Sequence, residues 1–165
     1  MLDVDCFKAF NDRYGHPSGD ACLQTITHLL RDCGRHPQDL VARYGNEEFA
    51  IMLTNTDVNG ALEVAKNIPV GIAARAITHE RSTLEHATLS IGLASTQALG
   101  CDTPEKLIHL ADAALYEAEQ LGRHRAKSCG TGRAYNLIEP TPKKRAMRRS
   151  PLRAPPAAPN AQSHR

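Results

Sequence analysis

The stretch Arg43-Tyr44-Gly45-Asn46-Glu47-Glu48-Phe49 places two adjacent carboxylates at a short turn between two apolar runs, 40–42 and 50–53. Apolar runs around a Gly-Asn turn are typical of a β-hairpin, which we predict near 39–44 and 48–53. Side chains alternate along a strand, so Glu47 and Glu48 cannot both point into a core. At least one of the two carboxylates should therefore lie at the exposed tip.

A second acidic element, Leu2-Asp3-Val4-Asp5, lies near the beginning of the sequence. Carboxylate oxygens are the ligands that hard cations prefer. If the two acidic elements meet in space, they form a site for a cation such as Mg²⁺.

Residues 2–8 resemble the pattern LDxDxFK, residues 11–20 resemble ND-x-x-GH-x-x-GD, and residues 43–49 resemble RYGG[DE]EF. Residues 89–92 resemble VSIG, and residues 111–116 followed by Gly122-Arg123 resemble ADxALY followed by GRN. Each motif is weak alone, but the five in this order over about residues 1–125 resemble the GGDEF domain of diguanylate cyclases. Asn46 stands where the family's signature usually has its second glycine.

The pattern of elements predicts an α/β sandwich, in which helices flank a central mixed, largely antiparallel sheet. Residues 1–4 are predicted to end a strand, 87–93 to form another and 135–138 a short last one. Apolar spacing predicts a helix over 18–32, a second from Val58 that ends or kinks at Pro69, and a third from Asp102–Glu105 to Gly122. The segment 70–85 is ambiguous.

The resemblance implies that two GTP molecules condense into cyclic di-GMP with Mg²⁺ or Mn²⁺. It implies that Asp3, the backbone carbonyl of Val4 and Glu47 hold the metal, and that Glu47, Glu48 and Lys8 are catalytic. It also implies a homodimer, because each domain holds one GTP and supplies the hydroxyl that attacks the other.

The implied GTP contacts are made by Phe7, Lys8, Asn11, His16, Asp20, Gly45, Asn46 and Arg123. Free backbone N–H groups near a turn or a helix start bind anions well, which suits the segment around Phe7, and an amide with a carboxylate, Asn11 and Asp20, matches the guanine edge. Two of these residues also have ordinary structural interpretations, which stay open. Phe7 could be a core side chain, and Asp20 could cap the helix that begins near it.

Departures from the family pattern bear on activity. The family's first helix and most of its first strand are missing before Asp3, so we expect a truncated domain or a misassigned start. Asn46 should keep the turn, because Asn tolerates positive φ. Glu119 replaces a phosphate-binding lysine and should lie on the exposed face of its helix, one turn before Arg123. His36 and Asp39 form a degenerate version of the inhibitory product site, because His36 replaces an arginine.

Composition limits the other possibilities. Residues 140–165 carry seven Lys or Arg, no acid and six of the ten prolines, which predicts a disordered basic tail after a domain at 1–139. The five cysteines show no C-x-x-C pair, which favours reduced thiols in a cytoplasmic protein over disulfides or zinc. No apolar run is long enough to span a bilayer, and nothing indicates a specific nucleic-acid partner.

We therefore predict a diguanylate cyclase whose upstream sensory domain is absent from this chain. The alternative is a catalytically inactive GGDEF-like module that regulates or binds other proteins, or a truncated remnant.

Overall fold

The computed structural model describes residues 1–34, 36–98, 101–129 and 134–137. Six strands and four helices follow one another in these ranges: β1 Leu2–Val4, α1 Phe7–Tyr14, α2 His16–Cys33, β2 Leu40–Arg43, β3 Glu48–Met52, α3 Val58–Ala74, β4 Leu89–Leu93, α4 Pro104–Gln120, β5 Arg125–Ser128 and β6 Ala134–Asn136. None of the helices in these ranges has the length and apolar character that a membrane span requires.

The strands form one sheet in the order β2-β3-β1-β4-β5-β6. The pair β4 and β5 is parallel, whereas every other neighbouring pair is antiparallel. The predicted mixed, largely antiparallel sheet is thus confirmed. The short strand β1 lies at its centre, between β3 and β4.

Helices cover both faces of the sheet. Leu2, Phe49 and Ile91 belong to a buried apolar cluster that includes residues of α1, α2 and α3. Gly92 points to the opposite face, where a Cβ atom would overlap the backbone of α4. Since side chains alternate along β4, α4 covers the face that also carries Ser90 and, across the sheet, Asp3. This second face forms the floor of the candidate site.

The predicted elements are present, with corrected ends. The helix predicted over 18–32 spans His16–Cys33, and its N-cap is Gly15. Of the two outcomes predicted for the second helix at Pro69, an end or a kink, the end does not occur, because α3 continues to Ala74 with Pro69 buried inside it. Proline lacks one N–H donor, and the packing of this apolar helix compensates for the missing bond. Thr103, as N-cap, and Pro104 begin α4.

Two elements were not predicted, α1 and β5. The last strand is shorter than expected, and Ile138 lies outside the described residues. The predicted tail over 140–165 also lies outside them.

Candidate active site

The two acidic elements of the sequence meet in the sheet. Antiparallel pairing of β1 with β3 places Asp3 directly opposite Glu48. The N–H of Val4 donates to the carbonyl oxygen of Glu47 at 3.3 Å. Residues opposite each other on neighbouring strands have adjacent side chains. The first and the third motif of the sequence therefore build one acidic surface at the end of β1.

Asp3 is the electrostatic centre of this surface. Burial, as the largest cause, and the nearby carboxylates of Glu119, Glu47, Asp5 and Glu48, in that order, together raise the pKa of its carboxyl to about 7. A carboxyl that loses water and faces like charges resists ionisation. A bound cation would relieve the same repulsion, so the charge pattern suits a divalent metal.

The protein offers few metal ligands around Asp3, but Mg²⁺ needs only a few. The described part of the chain contains no group of three or more His, Cys, Asp or Glu arranged to bind a metal. Mg²⁺, however, usually keeps several waters and takes one or two carboxylates together with substrate phosphates. Asp3, Glu47 and the carbonyl of Val4 make up a set of that kind.

Arg43 organises the hairpin loop that presents the glutamates. Its guanidinium donates to the carbonyl oxygens of Gly45, at 3.2 Å, and Asn46, at 3.2 and 2.6 Å. Asn46 does not have positive φ, so the turn survives without the tolerance that we expected to need. The expectation of an exposed carboxylate at the tip is wrong, since Glu47 and Glu48 are both half-buried. A Cβ at Gly45 would overlap the carboxylate of Glu48.

The start of α1 presents backbone donors beside this acidic surface. Cys6 caps the helix with φ 58°, and the N–H groups of the first turn have no acceptor within a helix. Lys8 is exposed. The Phe7 side chain is buried and stacks on Phe10 with ring centroids 6.1 Å apart. The Phe7 side chain is therefore a core residue, and only its backbone N–H is available to bind phosphate.

The residues implied to bind guanine lie on α1 and α2. The Asn11 Oδ1 atom is buried without a hydrogen-bond partner in the described structure, and it packs on Gly19, which has no Cβ to block it. An unsatisfied buried acceptor is costly, so a ligand N–H donor would stabilise it. His16 and Asp20 are exposed. Asp20 is not the N-cap of α2, because that helix begins one turn earlier.

The end of α4 differs from the expected arrangement. Glu119 is half-buried rather than exposed. Burial raises the pKa of Glu119, Arg123 lowers it, and the carboxylates of Asp5, Glu48 and Asp112 raise it. Arg123 does not lie on the helix, which ends at Gln120, but in a turn with φ 62°. Glu119 therefore faces the acidic surface because α4 packs its last turn against the sheet.

The degenerate inhibitory pair has a structural role. The Asp39 carboxylate accepts hydrogen bonds from the N–H of His36 at 3.0 Å and from the N–H and hydroxyl of Thr54 at 2.9 and 3.1 Å. Asp39 thus ties the beginning of β2 to the segment that follows β3.

Two residues inside the motifs were missed as parts of the site, Arg43 and Asp5. Arg43 belongs to the signature, but its bonds to two loop carbonyls depend on loop geometry. Asp5 is buried and accepts bonds from Thr88 and Ser90. The local sequence Asp5-Cys6-Phe7 does not indicate these partners, because they are distant in the chain.

Comparisons with known proteins identify the family of this chain. Residues 1–125 match the family described as diguanylate cyclase, GGDEF domain. Diguanylate cyclase A of Treponema denticola is 38% identical over 125 residues, which cover 76% of this chain and 33% of that protein. Diguanylate cyclase DgcM of Escherichia coli is 39% identical over 125 residues, 76% of this chain and 29% of that protein. The chain thus spans about a third of the length of these curated relatives.

Solved structures show the same fold. The GGDEF domain of DgcB from Caulobacter crescentus, in complex with c-di-GMP, has a TM-score of 0.68 at 31% identity, covering 78% of this chain and 74% of that one. The active GGEEF domain of a diguanylate cyclase from Vibrio cholerae has a TM-score of 0.65 at 31% identity, with 78% and 79% covered. Sequence, fold and the meeting of the two acidic motifs agree: this chain belongs to the GGDEF domain family of diguanylate cyclases.

Proposed function

We propose that this chain is a diguanylate cyclase that condenses two GTP into cyclic di-GMP and two pyrophosphates, using Mg²⁺ or Mn²⁺. The observation that carries the proposal is that Asp3 meets the two hairpin glutamates, Glu47 and Glu48, at the end of β1 and beside the start of α1. A metal needs the carboxylates and a triphosphate needs the free N–H groups of the helix start, so the two groups must lie side by side.

The reaction makes two phosphodiester bonds. The 3′-hydroxyl oxygen of one GTP attacks the α-phosphorus of the other, and the bond from that phosphorus to the pyrophosphate oxygen breaks. The hydroxyl proton passes to a carboxylate, for which Glu47 and Glu48 are the candidates. Asp3, Glu47 and the Val4 carbonyl would hold the metal, which supplies charge neutralisation for phosphoryl transfer.

The other residues bind and orient the nucleotide. Lys8 and the first-turn N–H groups of α1 hold the phosphates, as helix starts do for anions. Arg123 adds a charged donor from the turn after α4. Asn11, with its unsatisfied Oδ1, and Asp20 recognise the guanine edge, while His16, Gly45 and Asn46 border the nucleotide.

Catalysis requires two chains, because one domain holds one GTP and cyclic di-GMP forms only when the 3′-hydroxyl of each GTP attacks the α-phosphorus of the other. The protein therefore acts as a homodimer, and the initial rate per chain should rise with protein concentration. A rate per chain that stays constant from nanomolar to high micromolar protein would contradict the two-chain mechanism.

The second candidate is an inactive GGDEF-like module. The observation that favours it is Glu119, whose charge is the largest carboxylate influence on the pKa of Asp3. An anion at this position repels a triphosphate. Product inhibition should be weak in either case, since Asp39 is engaged with His36 and Thr54 and no arginine occupies position 36.

Incubation with GTP and Mg²⁺, followed by chromatography of the products, separates the two candidates. The cyclase should release pyrophosphate and a cyclic dinucleotide, and Asp3→Asn should abolish both. Asp102→Asn, at an exposed acid that precedes α4 and lies outside the motifs, is the matched control and should keep most activity. Failure to form dinucleotide at high protein concentration, with GTP binding intact, would establish the inactive module.

A further inference from the structure

Asp5 is a buried carboxylate that joins three distant segments. It is 4% exposed. Its Oδ2 atom accepts from the Thr88 hydroxyl at 2.6 Å and from the backbone N–H of His124 at 3.1 Å, and its Oδ1 atom accepts from the Ser90 hydroxyl at 2.7 Å. The N–H of Asp5 donates to the carbonyl of Thr88 at 3.0 Å. The end of β1, the start of β4 and the turn between α4 and β5 therefore meet at one side chain.

The positions of the three donors to Asp5 explain why a carboxylate, rather than an apolar side chain, occupies this buried site. Removing a charge from water is costly unless hydrogen bonds replace the lost solvation. Bonds to an ionised acceptor are short and roughly twice as strong as neutral ones, and both hydroxyl bonds of Asp5 are at the short end. A hydrophobic residue could fill the same space with less penalty. Only an acceptor with two oxygens can join all three donors.

Two segments that contact Asp5 have unfavourable backbone conformations, one next to it in the chain and one bonded to its carboxylate. Cys6, the next residue, has φ 58°. Arg123 and His124 have φ 62° and 48°. Left-handed backbone at non-glycine residues costs about 1–3 kcal/mol and persists only where surrounding contacts enforce it. Asp5 supplies such a contact to His124 directly and anchors Cys6 through its own backbone.

These two unfavourable turns carry the groups assigned to phosphate. Cys6 precedes the first turn of α1 with Lys8, and Arg123 precedes His124. We propose that Asp5 is a positioning residue, which fixes the start of α1 and the α4–β5 turn relative to each other, so that both reach one triphosphate. Asp5 does not touch the ligand itself. The assignment to a triphosphate rests on the proposed function, whereas the coupling of the two segments does not.

Hydrogen exchange without ligand tests the coupling. In Asp5→Asn, the amide of Phe10, whose bond to the Cys6 carbonyl closes the first turn of α1, and the amides of residues 123–125 should exchange about 10-fold faster or more, which corresponds to one good hydrogen bond. Amides in the middle of α2 should be unchanged. Unchanged exchange in both segments, or an equal increase throughout the domain, would overturn the proposal.

A second pair of variants keeps the test decisive if Asp5→Asn does not fold. Thr88→Val keeps the shape of the side chain and removes one donor to Asp5, whereas Thr88→Ser keeps the hydroxyl. Valine should speed exchange in both segments, and serine should restore slow exchange. Serine and valine variants that behave alike would show that packing at position 88, rather than the bond to Asp5, holds the turns.

Nucleotide binding tests the purpose of the coupling. Calorimetry should show that Asp5→Asn weakens GTP binding about 10-fold, the same single-bond value, and leaves guanosine binding unchanged. Equal weakening of both would mean that Asp5 does not act on the phosphate groups. If the unaltered protein binds no GTP, the proposed function fails, while the exchange result still decides whether Asp5 couples the two turns.

Discussion

Reversing the charge of Glu119 should tighten GTP binding. Glu119 is half-buried at the end of α4, and among the surrounding carboxylates it has the largest effect on the pKa of Asp3. In Glu119→Lys an anion that faces the proposed nucleotide site becomes a cation. The substitution also lowers the pKa of Asp3, since a cation near a carboxyl favours its charged form.

The size of the gain follows from Coulomb's law. At about 8 Å and an effective dielectric near 20, two unit charges interact by about 2 kcal/mol. Partial exposure and salt reduce this to about 0.5–1 kcal/mol for each unit of charge. A change of two units therefore gives about 1–2 kcal/mol, or roughly a 5- to 30-fold lower Kd for GTP.

Calorimetric titration of GTP without divalent cation measures this directly, because turnover cannot interfere. Glu105→Lys is the matched control, with the same change in net charge on an exposed residue of the same helix. It lies about 21 Å away along the axis, about twice the screening length at 0.1 M salt. The gain at Glu119 should shrink at high salt. Equal affinities for both variants at low salt would refute the placement of Glu119 beside the nucleotide.

Three further predictions concern stability. Gly92→Ala should lower the free energy of unfolding in urea by about 3 kcal/mol or more, because the added Cβ overlaps backbone atoms of α4. Gly34→Ala, where the nearest atom outside the adjoining residues is at 3.5 Å, should be near neutral. Similar losses in the two variants would contradict the close packing of α4 on Gly92. Burial raises the pKa of the Cys22 thiol to about 11. The free energy of unfolding should therefore fall by up to about 2 kcal/mol as the pH rises from 9 through 11, because the unfolded chain loses the thiol proton first. Unfolding curves at pH 8 and 10.5 should show this loss in the unaltered protein and not in Cys22→Ala. Arg43→Ala frees two loop carbonyls and should lower the free energy of unfolding by about 1 kcal/mol; an unchanged urea midpoint would show that the loop holds itself.

Local patterns predicted the elements that carry strong local signals. The hairpin follows from apolar runs around Gly45-Asn46, and α4 from a capping threonine and an apolar stripe. The sequence of α1 lacks a capping side chain, because its cap, Cys6, acts through an unusual backbone angle. β5 is short, with Arg125 and Lys127 alternating with small residues, so its pattern is too weak to identify a strand.

The sequence raised the question of whether the two acidic elements meet, and the sheet register answers it by placing Asp3 opposite Glu48. The detailed geometry around them could not be predicted. The orientation of Glu119 depends on how α4 settles on Gly92, which no helical periodicity specifies. The partners of Asp5 are more than 80 residues away in the chain, beyond the reach of any local pattern.

The central position of β1 has a consequence for synthesis on the ribosome. Its three residues pair with Phe49 and Glu48 on one side and with Leu89–Ile91 on the other, so they leave the tunnel long before their second partner exists. At about 5–20 residues per second, translation of the intervening chain takes roughly 5–20 s. During this time the hairpin of β2 and β3 can form, whereas β1 remains unpaired on its β4 side and its apolar side chains stay exposed. Nascent chains stalled between the hairpin and β4 should therefore be the species most dependent on chaperones.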